Sequence, residues 1–252
     1  MSPESELRWT CAARSDVGLV RSRNEDAFLA DPQRGLWAVA DGMGGHAFGD
    51  VASAAVVDAL AGLALPATLA EYVESARTRL GQVNEALRAQ ALARHVPVIG
   101  STVVALLALG AEAACLWAGD SRIYLYRHGR LQQLTRDHSQ LEALKERGAD
   151  LATLSASPNM ITRAVGAADT IAFDVTTLNP RDGDIFLLCS DGLSTPVEDG
   201  AIAAALAPGD CTQAAEDLVG LALASGGRDN ITVVVVRVDD LSGDKTVINP
   251  AL

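Results

Sequence analysis

Four aspartates stand at the ends of apolar, strand-like segments of this chain, each within two residues of a glycine. They are Asp41, Asp120, Asp191 and Asp229. A carboxylate at the end of a buried strand is costly unless it is paired or bound to a cation, and a neighbouring glycine lets the backbone approach a ligand closely. Any one of these aspartates could belong to an ordinary Asx turn. Together with Glu25-Asp26, which precedes another strand, they favour a shared divalent-cation site, and all-oxygen ligands suit Mg²⁺ or Mn²⁺ rather than Zn²⁺.

Short apolar segments alternate with Gly- and Asp-rich turns, and helical regions interrupt them. Strands are predicted at 27–30, 36–40, 102–109, 113–118, 122–127, 130–134, 171–178, 184–189 and 231–238. Helices are predicted at 50–65, 68–94, 141–147 and 211–224. Because the strands come in runs rather than in strict βαβ alternation, the pattern predicts the α+β class with antiparallel sheets.

The domain organisation follows from the lack of any linker-like stretch. Residues 1–240 are predicted to form a single domain, from which a segment at about 139–160 makes a mobile excursion. The polar end from residue 239 is expected to fray, with 241–252 as a disordered tail.

The charge balance limits the class of partner. Asp and Glu outnumber Lys and Arg by 32 to 20, a formal net charge of −12, which argues against a nucleic-acid-binding protein. No apolar run approaches the ~20 residues of a membrane span, and the first residues lack the features of a signal peptide. The four cysteines have no Cys-x-x-Cys spacing and are expected to be reduced thiols. We therefore expect a monomeric cytoplasmic protein without nucleic-acid or membrane partners.

Three other kinds of hydrolytic site are disfavoured. A cysteine-dependent phosphatase needs an arginine six residues after the cysteine, and none of the four cysteines has one. A haloacid-dehalogenase-type site is approached only by Asp182-Gly-Asp184, where Phe186 occupies the position that needs Thr or Val. The Gly-x-Ser-x-Gly element of a serine hydrolase is missing.

Eight segments resemble, in the same order, the metal-dependent protein serine/threonine phosphatases of the type 2C (PPM) family in their bacterial form. They are 18–27 (GLVRSRNEDA), 39–46 (VADGMGGH), 100–102 (GST), 119–122 (GDSR), 134–139 (LTRDHS), 161–166 (ITRAVG), 188–192 (LCSDG) and 227–231 (GRDNI). The resemblance covers about residues 10–238 and implies a β-sandwich of two antiparallel sheets flanked by helices, in α-β-β-α layers. It also implies hydrolysis of phosphoserine and phosphothreonine by a metal-activated water, opposing a eukaryotic-like Ser/Thr kinase and acting on that kinase and its substrates. A catalytically weak or inactive member that serves as a regulatory binding module is the alternative.

The resemblance implies a role for each acidic residue of the site. Asp41 bridges two cations, Mn²⁺ or Mg²⁺, and the Gly42 carbonyl ligates one of them. Asp191 and Asp229 ligate the other cation, and Asp120 shares a possible third, weaker one with Asp191. Glu25 and Asp26 hold metal-bound waters or support the ligands.

The basic residues of the same segments have implied roles too. Arg21 corresponds to the family's phosphate-binding arginine, which suits the forked geometry of guanidinium. His46 is either the proton donor to the leaving group or a structural residue, since Met43 stands where many non-bacterial members carry histidine. The excursion at 139–160 corresponds to the family's flap and is short here. Three further arginines, Arg122, Arg163 and Arg228, are expected to pair with acids under the site. His138 is expected to be a structural hydrogen-bonding residue.

Overall fold

The computed structural model describes residues 7–44, 48–146 and 160–241. The strands of this part are β1 Leu7–Asp16, β2 Asp26–Asp31, β3 Leu36–Met43, β4 Gly100–Ser101, β5 Val103–Leu109, β6 Glu112–Ala118, β7 Arg122–Arg127, β8 Arg130–Gln133, β9 Asp174–Leu178, β10 Ile185–Cys189 and β11 Ile231–Asp240. The helices are α1 Gly49–Ala61, α2 Leu69–Ala93, α3 Gln140–Glu146, α4 Asp191–Ser194, α5 Asp199–Leu206 and α6 Cys211–Ala224. None of these helices has both the length and the apolar character that crossing a membrane requires.

The strands form two antiparallel sheets. One has the order β1-β11-β10-β7-β8, and the other has the order β2-β3-β5-β6-β9, with β4 paired to β3. In the first sheet Leu7 lies opposite Asp240 and Asp16 lies opposite Ile231. This register brings the segment after β1 beside the residues that precede β11.

Both faces of the central strands are buried, which explains why these strands are apolar along their whole length. In β10, Phe186 and Leu188 pack between the two sheets, whereas Ile185 and Leu187 face the α5–α6 layer. The second sheet packs in the same way against α1 and α2 on its outer face. The predicted α-β-β-α layering is confirmed.

Most predicted elements are present with small changes at their ends. The helix predicted at 68–94 is α2, where the Thr68 side chain caps the N-terminus by accepting a hydrogen bond from the Glu71 N–H at 3.2 Å. The β7–β8 hairpin turns at His128 and Gly129, which have φ angles of 51° and 77°, as expected for a type I′ turn.

Other elements differ from the prediction. Strand β1 and the short helices α4 and α5 were not expected. Residues 239 and 240, expected to fray, are paired with β1, and the strand predicted at 171–178 begins only at Asp174. Of the predicted flap, 147–159 lies outside the described residues, as does 242–252 of the predicted tail. The described ends of the flap are α3 and a bridge between Ser139 and Ile161.

Candidate metal centre

The acidic residues converge at one end of the sandwich because the strands that carry them end there. Asp26 and Asp41 lie directly opposite each other on β2 and β3. Asp120 stands two residues after β6, Asp191 begins α4 two residues after β10, and Asp229 stands two residues before β11.

A cavity of about 370 Å³ opens at this end. Six of the predicted site residues line it: Arg21, Glu25, Asp41, Gly42, Asp191 and Asp229. Asp26 and Asp120 are not among its lining residues, although both contribute to the charge around Asp41. His46 lies outside the described residues, so its predicted role stays a prediction.

The carboxyl groups are close enough to disturb one another's ionisation. Burial raises the pKa of Asp41 well above its ordinary value, and the charges of Asp26, Asp191, Asp120 and Asp229 raise it further. Burial followed by repulsion from Asp191 raises the pKa of Asp120 to about 7. Burial raises the pKa of Asp26 to about 6, although hydrogen bonds from Thr232 and Ser190 oppose the shift. The pKa of Asp191 is raised by burial and by the charge of Asp229. Such a set of carboxylates stabilises a bound cation.

Two buried carboxylate oxygens of this cluster lack a hydrogen-bond partner within the described residues. They are Oδ1 of Asp26 and Oδ1 of Asp120. An orphaned buried acceptor is rare in a folded protein and calls for a missing donor or cation. Over residues 7–44, 48–146 and 160–241, no three acidic, histidine or cysteine side chains are close enough to form a ready-made cation cage. The orphaned oxygens, the raised pKa values and the all-oxygen chemistry nevertheless fit a divalent cation.

Two glycines beside the aspartates are required by close backbone approaches. A Cβ atom on Gly42 would lie 2.0 Å from the Gly49 carbonyl oxygen. A Cβ atom on Gly192 would lie 1.9 Å from the Asn230 carbonyl oxygen. These glycines are therefore required by close packing of the backbone, one within β3 and the other within α4.

Asn230 holds together the loops that carry the acids, and sequence reasoning did not assign it this role. Its amide Nδ2 donates to the carbonyls of Val17 and Arg23, both at 2.9 Å. Its Oδ1 accepts from the Glu25 N–H at 2.8 Å. The side chain is 5% exposed, and its place beside Asp229 in the GRDNI segment was the only signal.

Thr102 fixes the backbone of Asp41, a role that sequence reasoning also missed. Its Oγ1 accepts from the Asp41 N–H at 3.0 Å, and its own N–H donates to the Asp41 carbonyl at 2.8 Å. The Thr102 hydroxyl is in turn hydrogen-bonded to Ser121 at 2.7 Å. The GST segment contributes positioning rather than ligands.

Arg21 reaches the centre of the acidic cluster. Its Nη2 donates to Asp229 Oδ2 at 2.7 Å, and the pKa of Arg21 is raised by this bond, by the charge of Asp229 and then by Glu25 and Asp41. One of its five N–H donors is engaged in that contact, so the rest of the guanidinium fork can bind an anion.

The other basic side chains divide into two groups. Arg122 forms a bidentate pair with Asp137. His138 accepts from the Gly119 N–H at its Nδ1 and lies 3.2 Å from Asp174 at its Nε2, while Arg163 binds the same Asp174 at 2.7 Å. The contacts predicted for these three are present, whereas Arg228 has no side-chain hydrogen bond or ion pair within the described residues.

A family model, a curated relative and a solved structure that match this chain are each described as a protein phosphatase or a domain of one. The family model described as protein phosphatase 2C matches residues 20–218. The chain is 39% identical over 246 residues to the serine/threonine protein phosphatase PstP of Mycobacterium tuberculosis, covering 93% of this chain and 46% of that protein. It thus spans about half the length of the curated relative.

Two solved structures cover nearly the same length as this chain. One is PppA, described as a key regulatory component of T6SS in Pseudomonas aeruginosa, with a TM-score of 0.85 and 45% identity over 91% of this chain and 97% of that one. The other is the catalytic domain of PstP in complex with two manganese ions, with a TM-score of 0.84 and 39% identity over 93% and 100%.

Proposed function

The chain belongs to the protein phosphatase 2C family, and on that premise we propose that it hydrolyses phosphoserine and phosphothreonine in proteins. The observation that carries the proposal is the convergence of Asp41, Asp191 and Asp229 on one cavity together with Arg21. Acidic side chains alone would repel a phosphate, so this combination makes sense when the acids hold cations and the arginine binds the phosphoryl group.

The proposed cations are Mn²⁺ or Mg²⁺. Asp41 and the Gly42 carbonyl would hold one ion, Asp41, Asp191 and Asp229 would hold a second, and Asp120 with Asp191 would hold a third, weaker one. When bound, such ions supply an activated water nucleophile and offset the charge on the phosphoryl oxygens. The two manganese ions of the PstP catalytic domain support the choice of metal and a pair of ions.

The chain's own residues position the reaction. Arg21 orients the phosphoryl group through the donors that its bond to Asp229 leaves unused. Asn230 and Thr102 keep the loops of Glu25 and Asp41 in place. Oδ2 of Asp26 accepts from the Ser190 hydroxyl at 2.8 Å, which suits the proposed supporting role. His46 is retained as the candidate proton donor on its position in the sequence.

We extend the proposal to the biological setting. The substrates would be phosphoproteins of a Ser/Thr kinase pathway, including the kinase itself, and the enzyme would act as a monomeric domain of residues 1–240 with a flap at 139–160. The four cysteines are free thiols, which suits a reducing compartment, so we propose the cytoplasm. Every ligand position implied by the family is filled, and no observation favours the inactive alternative.

A phosphopeptide assay tests the proposed function. Release of inorganic phosphate from phosphothreonine and phosphoserine peptides is measured after dialysis against EDTA and during titration with Mn²⁺ or Mg²⁺. We expect turnover that depends on the added cation. Equal activity with and without chelator would refute the cation-dependent mechanism, and no activity with any cation would favour the binding-module alternative.

A further inference from the structure

A second cavity, of about 530 Å³, adjoins the metal-centre cavity. Asp191 and Asp229 line both cavities. The other lining residues of this adjoining cavity include Thr195, Ser225 and Arg228. A substrate whose phosphate enters the metal centre would therefore have room for a neighbouring part of its chain on the other side of the two aspartates.

Arg228 is the feature of the adjoining cavity that the proposed hydrolysis does not use. It is exposed, and within the described ranges its guanidinium has no hydrogen bond or ion pair. Arg122 and Arg163, by contrast, are paired with Asp137 and Asp174. The expectation that Arg228 pairs with acids under the site is therefore wrong for the described part of the chain.

The position of Arg228 relative to Arg21 is fixed by the loops that carry them. The Leu19 N–H donates to the Gly227 carbonyl at 2.7 Å, and Arg21 itself binds Asp229 at 2.7 Å. The two arginines are thus held beside the same aspartate, Arg21 by its bond to the carboxylate and Arg228 as the preceding residue.

We propose that Arg228 and the adjoining cavity bind an anionic group next to the phosphorylated residue of the substrate, either a carboxylate or a second phosphate. This proposal rests on the proposed function and names the substrate class for it: phosphopeptides with acidic flanks. A chain with a net charge of −12 repels such peptides in general. The same cavity is lined by Asp191 and Asp229, whose charges the proposed cations offset. The Arg228 guanidinium then offers an anion two parallel donors, which suit two oxygens of a carboxylate or of a phosphate. The hydroxyl-bearing Thr195 and Ser225 add neutral polar lining.

The test compares kcat/KM for phosphothreonine peptides of one length with Mn²⁺ present. The peptides have neutral flanks, glutamates on the N-terminal side, glutamates on the C-terminal side, or a second phosphothreonine. They are assayed with the natural protein, Arg228→Ala and Arg228→Glu. Arg130→Ala is the matched control, since Arg130 is an exposed arginine on the β8 hairpin and does not line the adjoining cavity.

We expect at least one acidic peptide to be preferred over the neutral one by about 5-fold at low salt, the value of one partly exposed ion pair. Arg228→Ala should remove the preference, Arg228→Glu should reverse it, and added salt should weaken it in the natural protein. Turnover of p-nitrophenyl phosphate, which has no flanking residues, should fall much less in Arg228→Ala than turnover of the preferred acidic peptide. Comparing the glutamate peptides with the doubly phosphorylated peptide shows which anion is bound.

An acidic preference that survives Arg228→Ala, or no preference in the natural protein, would overturn the proposal. Failure of the proposed function has a different signature, namely no cation-dependent turnover of any peptide or of p-nitrophenyl phosphate. In that case, fluorescence polarisation of the labelled peptides tests Arg228 on its own. Equal affinity for acidic and neutral peptides would then reject the anion site.

Discussion

At the scale of single residues, Asp41 combines a functional role with a cost to stability. Its pKa is raised well above the ordinary value by burial and by four neighbouring carboxylates. Asp41→Asn keeps the shape and removes the charge. In EDTA we expect the variant to have a higher free energy of unfolding than the natural protein, by on the order of 1 kcal/mol or more. With Mn²⁺ it should lose more than about 100-fold in kcat/KM.

Urea unfolding and steady-state kinetics on the same samples check this prediction. Asp58→Asn, at an exposed position on α1, is the matched control and should change neither quantity. A destabilised Asp41→Asn protein that retained Mn²⁺-dependent activity would contradict both parts of the argument.

Arg21 should contribute more to binding the phosphoryl group than to the stability of the protein. It is 54% exposed and contacts Asp229 through a single nitrogen, so Arg21→Ala should leave the melting temperature nearly unchanged. We expect kcat/KM for a phosphopeptide to fall by about 10²- to 10³-fold, the usual effect of removing a donor that stabilises transition-state charge. Arg21→Lys should restore part of the activity, because it keeps the charge but loses the fork. An Arg21→Ala enzyme with natural kinetics would remove Arg21 from the phosphate site.

At the scale of elements, Asn230 links the loop before β11 to the segment between β1 and β2. Three hydrogen bonds with Val17, Arg23 and Glu25 depend on its side chain. Asn230→Ala should lower the free energy of unfolding by roughly 2–4 kcal/mol, at about 1 kcal/mol for each bond and more if a buried partner stays unsatisfied. Calorimetric titration should also show weaker Mn²⁺ binding, because the segment that carries Glu25 loses its link to the loop that carries Asp229.

The position of Asn24 provides a control for that experiment. Asn24 lies in the same segment, donates to Ser15 at 2.8 Å and accepts from the Asp26 N–H at 3.1 Å. Because neither bond reaches the loop before β11 and both partners lie nearby in the chain, Asn24→Ala should have a smaller effect. Equal effects of the two variants would mean that Asn230 is not the specific link we describe.

Elements with strong periodicity were predictable and irregular ones were not. The apolar strands β3, β5, β10 and β11 and the long helix α2 have clear patterns, so sequence alone located them. Strand β1 is an edge strand, in which the polar Arg8 and Thr10 alternate with apolar residues only over Leu7–Cys11. The sequence reasoning looked for continuous apolar segments and so missed it. Helix α4 was missed because it is only 4 residues long and contains Gly192, where tertiary contacts outweigh local propensity.

Within the site, sequence predicted the chemistry but not the supporting contacts. The aspartates are recognisable because a carboxylate beside a glycine at the end of a buried strand needs a partner or a bound cation to offset its charge. Asn230 and Thr102 look like ordinary polar residues, and their roles depend on partners far away in the chain, such as Val17 and Asp41. Long-range pairing of this kind, like that of β1 with β11, cannot be derived from local pattern.

At the scale of the whole molecule, the raised carboxyl pKa values make stability depend on pH. In cation-free protein the pKa of Asp120 is about 7 and that of Asp26 about 6, both above the value of about 4 in an unfolded chain. The folded protein therefore binds more protons than the unfolded chain between about pH 4 and 7, and its stability falls as the pH rises through this range. We expect a loss on the order of a few kcal/mol between pH 5 and pH 8 in EDTA.

Urea denaturation across this pH range measures the effect. Burial lowers the pKa of His138, which makes stability rise with pH and so opposes the effect of the carboxyl groups. Asp120→Asn isolates the carboxyl contribution and should show a shallower loss of stability as the pH rises. Added Mn²⁺ should restore stability most at high pH, where the carboxylates are ionised and cation binding is strongest. Stability that rises with pH in EDTA would contradict the electrostatic description of the cluster.

The central claim is that converging aspartates make this chain a cation-dependent phosphatase for phosphoserine and phosphothreonine. Phosphate release from a phosphothreonine peptide, titrated with Mn²⁺ after complete removal of divalent ions, tests it most directly. We predict no turnover before Mn²⁺ is added, saturable turnover afterwards, and loss of more than about 100-fold in Asp191→Asn at the same Mn²⁺ concentration. Turnover that persists in EDTA, or an Asp191→Asn enzyme as active as the natural protein, would contradict the claim.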